Sequence, residues 1–164
     1  MGGWTIERLG PKGWERVRRI RLRALADAPD AFGTTLAEDE ARPLGEWRGR
    51  LEEPETATFL ATADGEDVGL VTGRPFEGRE GDAGLFGMWV APGFRGRGMG
   101  GGLVDAVVAW ARAAGFARVL LEVADANAPA IRLYASRGFE PTGVTGSLPA
   151  PRQHVLEHER ALEL

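Results

Sequence analysis

The residues with the clearest chemical potential lie in a glycine-rich segment, Arg95–Gly101, whose sequence is Arg-Gly-Arg-Gly-Met-Gly-Gly. A strand is predicted before this segment and a long helix after it, so its backbone N–H groups lie at the positive end of the helix dipole. Glycines let a backbone approach an anion without Cβ clashes. Arg95 and Arg97 add charge that could reach further phosphates. The segment therefore predicts a pyrophosphate-binding site.

Other interpretations of this segment are open from the residues alone. It could be a glycine-rich turn with solvated arginines. Gly96, Gly98 and Gly101 also match the G-x-G-x-x-G pattern of dinucleotide folds, with Glu122 about 20 residues further on. That pattern opens a larger parallel sheet, whereas roughly ninety residues precede it here, so a dinucleotide-binding oxidoreductase is the weaker alternative. A P-loop is excluded because no Gly-Lys-Ser/Thr follows.

The elements that position this segment are predicted from apolar spacing and turn residues. Helices are expected over 14–28, 44–52, 103–114 and 128–137. Strands are expected over 5–9, 56–63, 67–76, 83–90, 117–123, 139–144 and 153–162. An Ala-Asp-Gly-Glu turn at 63–66 joins two of the strands into a hairpin. This order of elements predicts a mixed sheet with helices on both faces.

Two separated blocks of sequence resemble one known family. The first, Arg95–Gly100, fits the pattern Q/R-x-x-G-x-G/A and follows Met88-Trp89-Val90-Ala91-Pro92. The second runs through Leu121-Glu122-Val123, Asn127, Ala130, Leu133-Tyr134 and Arg137-Gly138-Phe139. In this order and spacing the blocks resemble the GNAT N-acetyltransferase superfamily, nearest in motif to ribosomal-protein alanine acetyltransferase-like members. They cover about Leu85 to Pro141, and the remaining sequence matches in predicted element order.

The resemblance implies a fold and a co-substrate. The fold is α/β (α+β), with a mixed, largely antiparallel central sheet of six to seven strands flanked by about four helices, in one domain over residues 1–164. The co-substrate is acetyl-CoA, and no metal is implied. The backbone of the glycine-rich segment would hold the pyrophosphate, and a strand edge would pair with the pantetheine amides. The implied cofactor-binding residues are Met88, Trp89, Val90, Arg95, Gly96, Arg97, Gly98, Met99, Gly100, Gly101, Asn127 and Tyr134.

The reaction that the resemblance implies is transfer of the acetyl group to a primary amine by direct attack on the thioester, without a covalent acyl-enzyme. A backbone N–H near Val90 would stabilise the oxyanion. The attacking amine must lose a proton and the leaving thiolate needs one. Tyr134 is the only tyrosine and stands seven residues after Asn127, where many such enzymes place their acid. The alternative role for Tyr134 is an aromatic anchor with its hydroxyl at the surface.

Glu122 is the candidate base. It stands five residues before Asn127 and twelve before Tyr134, as does the proton acceptor of the ribosomal-protein alanine acetyltransferases. An ordinary strand carboxylate facing solvent explains Glu122 equally well. Asn127 is expected to cap a helix ahead of Pro129, which is compatible with contact to the CoA arm. Gly101 stands where relatives often carry a basic or polar residue, which removes one phosphate contact.

The family builds its acceptor site from the first helices and the last strands, here about 24–51 and 142–158. This region offers carboxylates suited to a cationic amine, although such a loop is also commonly solvated. Its candidate residues are Asp27, Asp30, Phe32, Glu38, Asp39, Glu40, Trp47, His154 and His158. Protein N-termini, lysine side chains, polyamines, amino acids and aminoglycosides all remain open as acceptors. A non-catalytic CoA-binding sensor or scaffold is the alternative from another functional class.

Composition removes several further classes. The 164 residues contain no cysteine, which excludes disulfides, thiolate metal sites and cysteine nucleophiles. A formal net charge of -4 gives no electrostatic case for nucleic acid. No run approaches the roughly 20 apolar residues of a membrane span, so we expect a cytoplasmic protein, with a homodimer through the late strands also compatible. His154 to His158 spells H-x-x-E-H, but on a strand these histidines lie about 13 Å apart, too far to share a zinc ion.

Overall fold

The computed structural model describes residues 3–164 and contains one seven-stranded sheet in this range. The strands are β1 (Trp4–Leu9), β2 (Ala57–Ala63), β3 (Glu66–Pro75), β4 (Asp82–Val90), β5 (Arg118–Ala124), β6 (Glu140–Ser147) and β7 (Leu156–Glu163). The helices are α1 (Trp14–Asp27), α2 (Leu36–Ala41), α3 (Leu44–Glu52), α4 (Met99–Ala113) and α5 (Ala128–Ser136). None of the helices in residues 3–164 has the length and hydropathy needed to span a membrane.

The sheet has the order β1-β2-β3-β4-β5-β7-β6, in which β4 and β5 are the one parallel pair. The predicted mixed, largely antiparallel sheet is therefore confirmed. The last strand in the sequence, β7, inserts between β5 and β6, so the residues of β7 lie directly beside those of β5. This arrangement differs from the parallel sheet that a dinucleotide fingerprint requires.

Helix α4 packs on one face of the sheet, where glycines of β3 allow close approach. A Cβ on Gly73 would lie 2.7 Å from the Trp110 ring, and one on Gly69 would lie 3.1 Å from Leu103. Helix α1 contacts β3 as well. Because side chains alternate along a strand, Thr72 points to the opposite face, where it lines a cleft together with Val17 of α1. Helices therefore cover both faces, as predicted.

Helix α4 begins four residues earlier than the predicted Leu103. Its N-cap is Gly98, whose φ of 90° is a left-handed conformation that glycine adopts readily. The predicted apolar stripe is buried, with Leu103, Val104 and Val107 all at 0% exposure. The glycines of the segment therefore form the first turn of the helix, which places the helix dipole directly at the loop.

Among residues 3–164 the structure contains five helices, close to the expected number of about four. The additional helix, α2, lies in a region predicted as a polar stretch. Its start is a capping box. The Glu38 backbone N–H donates to Thr35 Oγ1 at 3.1 Å, and the Thr35 backbone N–H donates to Glu38 Oε1 at 3.0 Å. The spacing Thr35-x-x-Glu38 is the sequence signature of this motif. Its short length gave no apolar periodicity to detect.

Helix α2 buries Asp39 completely, at 0% exposure, between two arginines. Arg21 Nε donates to Asp39 at 3.1 Å and Arg42 Nη2 donates at 2.8 Å. Burial alone would raise the pKa of Asp39, but the hydrogen bonds and charges of Arg42 and Arg21 outweigh it, so the pKa lies below its ordinary value. The carboxylate therefore contributes stability above about pH 4, and this contribution is lost as the pH falls through the lowered folded-state pKa.

We expect Asp39→Asn to lower the free energy of unfolding by about 2 kcal/mol at pH 7, because charge-assisted hydrogen bonds to both arginines are weakened. Urea unfolding at pH 7 and pH 3 measures the effect, which should shrink at the lower pH. The matched control is Glu46→Gln, which removes an exposed ion pair to the same Arg42 at 3.3 Å. That change should cost less than about 0.5 kcal/mol. Equal effects of the two variants would contradict this account of Asp39.

Candidate functional site

Strands β4 and β5 diverge soon after they pair. Their register covers Asp82–Gly84 against Arg118–Leu120 and no further pair in the described chain. A bulge in β4 increases the separation, since Leu70 pairs with Trp89 whereas Thr72 pairs with Phe86. Gly87 lies in this bulge with φ of 62°, a conformation favoured by glycine. The β4 edge from 85 to 90 is therefore open to a ligand that can pair with peptide groups.

The glycine-rich segment lies at the C-terminal end of β4 and forms the start of α4. Gly96 and Gly98 both have positive φ, at 79° and 90°. The first backbone N–H groups of α4 precede the first hydrogen bond of the helix, which Gly102 N–H donates to the Gly98 carbonyl at 3.0 Å. Trp4 of β1 braces the loop by donating from Nε1 to the Arg97 carbonyl at 2.9 Å. The loop presents a positive helix end with unpaired donors, as expected of an anion site.

The two arginines of the segment have different surroundings. Arg95 Nη2 donates to Asp27 at 2.9 Å, and Arg95 Nε donates to the Val90 carbonyl at 2.8 Å. Trp89 Nε1 donates to the same Asp27 oxygen at 2.9 Å. Arg95 therefore ties the loop to β4 and α1, with its charge paired by Asp27. Arg97 is exposed, with Cζ 5.0 Å from the centre of the Phe94 ring.

The structure adds a cation that the sequence analysis missed, Arg137 after α5. Its guanidinium lies over Gly101, where it occupies the space that a Cβ at that position would need. Arg137 Nε also donates to Asp105 at 3.1 Å. The sequence indicated a lost phosphate contact at Gly101, and the structure places a guanidinium there from another element. In the sequence, Arg137 is visible only as part of the Arg-Gly-Phe motif match.

A cleft of about 1170 Å³ brings these features together. It runs along the open edge of β4, past the glycine-rich loop, and between α1, α3 and β5. Of the predicted site residues, all but Arg97 line it: Met88, Trp89, Val90, Arg95, Gly96, Gly98, Met99, Gly100, Gly101, Glu122, Asn127 and Tyr134. The predicted residues thus form one continuous surface.

Tyr134 lies on α5 at the wall of this cleft and is 7% exposed. Its ring packs edge-on against Phe139, with centroids 6.0 Å apart. Burial raises the pKa of the Tyr134 hydroxyl above its ordinary value. Tyr134 therefore stays protonated throughout the physiological range. Asn127 caps the same helix as predicted, since its Oδ1 accepts from the Ala130 N–H at 3.3 Å.

Glu122 of β5 has a carboxylate partner that the sequence analysis missed, Glu157 of β7. The register pairs Ala124 with Glu157, so the two glutamates are diagonal neighbours on one face of the sheet. Both line the cleft. Burial raises the pKa of Glu157, and the charge of Glu122 and a hydrogen bond with its side chain raise this pKa further. Glu157 therefore holds its proton to a higher pH than an ordinary glutamate.

We expect Glu157→Gln to stabilise the protein at pH 8 and to leave its stability nearly unchanged at pH 4. The raised folded-state pKa means that the folded protein binds more protons than the unfolded chain from about pH 4.5 upward, so native stability falls through that window. Glutamine cannot ionise and removes this loss. Thermal unfolding at both pH values measures the effect. An equal or lower midpoint for the variant at pH 8 would contradict the carboxyl pair.

Most of the carboxylates that were candidates for the acceptor site lie outside the cleft. Asp39 is buried, while Asp30, Glu38 and Glu40 do not line the cleft. His158 lies in β7 with its Nε2 3.0 Å from Asp125, so the H-x-x-E-H residues do not share the helix that the zinc motif requires. Of the candidates in this region, only Asp27, Phe32 and Trp47 contribute to the cleft.

Comparisons with known proteins agree with this geometry. Residues 14–139 match the sequence model of the Acetyltransferase (GNAT) family. The chain is 35% identical over 124 residues to a mycothiol acetyltransferase of Thermobispora bispora, covering 73% of this chain and 40% of that protein. The chain thus spans about two-fifths of the length of this relative.

Solved structures share the fold across almost the whole chain. A ribosomal-protein-alanine N-acetyltransferase from Brucella melitensis has a TM-score of 0.79 at 22% identity, covering 98% of this chain and 99% of that one. The yncA protein of Salmonella typhimurium, solved with its cofactor acetyl-CoA, has a TM-score of 0.79 at 19% identity, covering 99% and 94%. Because the family's sequence model matches most of this chain, over residues 14–139, the chain belongs to the GNAT acetyltransferase family.

Proposed function

We propose that this protein is an acetyl-CoA-dependent N-acetyltransferase, formed by one domain over residues 1–164, that acetylates a primary amine by direct attack on the thioester. The observation that carries the proposal is the divergence of β4 and β5 directly beside the loop at the start of α4. This arrangement combines an open strand edge with an anion site in one cleft. The acetyl-CoA bound to the structure of yncA is consistent with the proposal.

The residues present fit acetyl-CoA in two places. The N–H groups of the first turn of α4, with the guanidinium of Arg137 beside them, would hold the pyrophosphate. The free edge of β4 from Met88 to Val90 would pair with the pantetheine amides. When bound, acetyl-CoA supplies an activated acetyl group. A backbone N–H near Val90, at the end of the bulged strand, would stabilise negative charge on the acetyl oxygen.

The proton transfers are assigned to groups that the cleft brings together. Tyr134 keeps its hydroxyl proton at working pH, and its place on the cleft wall makes it the candidate to protonate the leaving sulfur. Glu122 is suited to accept the proton of the amine, directly or through water. The pKa of Glu157 beside it is raised by burial and by the charge of Glu122. Both glutamates line the same cleft as Tyr134.

Calorimetry with acetyl-CoA, followed by an assay of free CoA thiol with an amine panel, tests the proposal. The panel contains spermidine, a lysine-containing peptide, a peptide with N-terminal alanine and free amino acids. Acetyl-CoA binding and amine-dependent thiol release with at least one panel member are expected. Binding without release for any amine would favour a non-catalytic CoA sensor or scaffold instead. Absence of binding by the folded protein would contradict the proposal.

A further inference from the structure

The half of the cleft beyond the Gly87 bulge is rich in arginine. It lies between α1, α3 and the strands β2 to β4, and the guanidinium-bearing residues that line it are Arg21, Arg50 and Arg74. Its lining includes the hydroxyl-bearing residues Thr58 and Thr72, which lie opposite each other on β2 and β3. Their Oγ1 atoms are 3.1 Å apart. This surface is rich in hydrogen-bond donors.

Arg74 and Arg50 have no hydrogen-bond or ion-pair partner among residues 3–164. Arg74 is held by an aromatic ring, with its Cζ 4.2 Å from the centre of Phe86. The Cζ of Arg50 lies 6.0 Å from the centre of the Trp47 ring. Desolvation and the charge of Arg42 lower the pKa of Arg50, although much of its side chain is exposed. Both guanidinium groups are therefore positioned yet free to bind an anion.

Arg21 brings positive charge to the bulge itself. A Cβ on Gly87 would lie 2.8 Å from Arg21 Nη1, so this nitrogen lies against the β4 backbone. Arg21 Nε and Nη2 donate to Asp39 and to Thr34, but Arg42 shares Asp39. A single buried carboxylate thus serves two arginines. The acidic residue of the cleft nearest in sequence to Arg50 is Glu53, which is exposed.

Trp47 provides a second, independent observation. Its side chain is 3% exposed and lines the same half of the cleft. Its buried indole Nε1–H has no acceptor within the part of the chain that the structure describes. A buried donor without an acceptor costs free energy, and an anionic oxygen bound beside it would remove that cost. An anionic oxygen can accept from this orphaned donor and can also bind the unpaired guanidinium groups.

The anion indicated here differs from the pyrophosphate of acetyl-CoA. Arg74 pairs in register with Gly84, near the start of β4, whereas the glycine-rich loop follows Val90 at its end. Gly84 and Val90 are six residues apart, which corresponds to about 20 Å along a strand. The two anion sites therefore lie at opposite ends of β4, with the Gly87 bulge between them.

We propose that the acceptor amine also carries a compact anionic group, a carboxylate or a phosphate, that binds to Arg50 and Arg74. This inference rests on the proposed N-acetyltransferase function and specifies its substrate class. The sequence-based interpretation drew attention to the carboxylates in this region, which suit a cationic amine, and left amino acids open as acceptors. Free amino acids and amines that carry a phosphate fit the inferred class, whereas amino-acid amides and polyamines do not.

Matched acceptor pairs test the inference through thiol release: L-phenylalanine with L-phenylalaninamide, and phosphoethanolamine with ethanolamine. At least one acceptor with an anionic group should have a kcat/KM ten or more times that of its partner without this group, and of spermidine. The pair that shows the preference identifies the anion. The amine of the amide is the less basic of its pair, so amine reactivity works against this result. No preference in either pair, or a preference for spermidine, would overturn the inference.

Charge variants locate the anion site. Arg50→Gln and Arg74→Gln should each raise the KM for the preferred anionic acceptor about tenfold. The KM for the partner without the anionic group should be unchanged. Arg50→Lys should retain part of the preference for the anionic acceptor. The control is Arg48→Gln, which makes the same charge change on α3 but removes an exposed ion pair with Glu52 outside the cleft. Equal effects of the Arg48 and Arg50 variants would overturn the assignment. If the native protein binds acetyl-CoA but shows no preference for anionic acceptors, only this inference is rejected. If the native protein does not bind acetyl-CoA, the proposed function is rejected as well.

Discussion

Replacing Gly98 and Gly100 together with tryptophan is expected to weaken acetyl-CoA binding at least about 1000-fold, because the side chains fill the anion site and block the first-turn N–H groups. Gly98 has φ of 90°, where a residue with a Cβ is strained by roughly 1–2 kcal/mol. A Cβ on Gly100 would lie 3.0 Å from Leu133 and 3.1 Å from Met88, so a larger side chain must displace both. Calorimetric titration with acetyl-CoA measures the loss.

A tryptophan elsewhere separates this effect from general damage. Gly146→Trp is the matched control, because Gly146 is exposed on β6 and a Cβ there meets nothing within 4 Å. Thermal unfolding must show that the double variant remains folded. A folded double variant that binds acetyl-CoA as tightly as the Gly146 variant would show that this loop is not the anion site.

Tyr134→Phe is expected to lower kcat about 1000-fold, within the range observed for removal of a general acid, and to change acetyl-CoA affinity little. Phenylalanine retains the edge-on contact with Phe139, so the fold should be unaffected. The hydroxyl alone is lost, and with it the proton donor on the cleft wall. Steady-state kinetics with the best acceptor from the amine panel, together with calorimetry, separates the catalytic effect from binding.

Ser136→Ala provides the control on the same helix. The Ser136 hydroxyl donates to the Leu133 carbonyl at 2.6 Å and lies on the exposed side, so its removal should leave kcat unchanged. A Tyr134 variant with native kcat would leave the aromatic-anchor role as the explanation for this residue. A loss confined to KM for acetyl-CoA would instead indicate a binding role.

The parts of the site that could be predicted from sequence are those built from local segments. The glycine-rich loop, the helix that follows it and the Asn127 cap each depend on residues within about one turn of helix, and their chemistry is visible in their spacing. The open edge of β4 came from the family resemblance, since nothing in the sequence of β4 alone indicates where its pairing with β5 stops. The structure shows that pairing ends at Gly84.

The residues that were missed depend on contacts between distant elements. Glu157 lies 35 positions after Glu122 and becomes its neighbour only because β7 inserts between β5 and β6. Arg137 lies over Gly101 because α5 ends beside the start of α4. The acidic acceptor region was misleading for the same reason, since Asp39 is neutralised by Arg21, which is on another helix. No local pattern carries this information.

The hydrogen bond from Trp4 to the Arg97 carbonyl spans 93 positions of the chain. It makes the edge strand of the sheet a support for the cofactor loop, so the two ends of the domain are not equivalent for engineering. A purification tag or fusion partner attached before β1 would lie next to the strand that holds this loop in place and would disturb it. The Leu164 N–H, by contrast, donates to the Ala117 carbonyl at 3.0 Å, beside the start of β5 and away from the loop. The C-terminal side is therefore the better attachment point for a tag or an immobilisation linker.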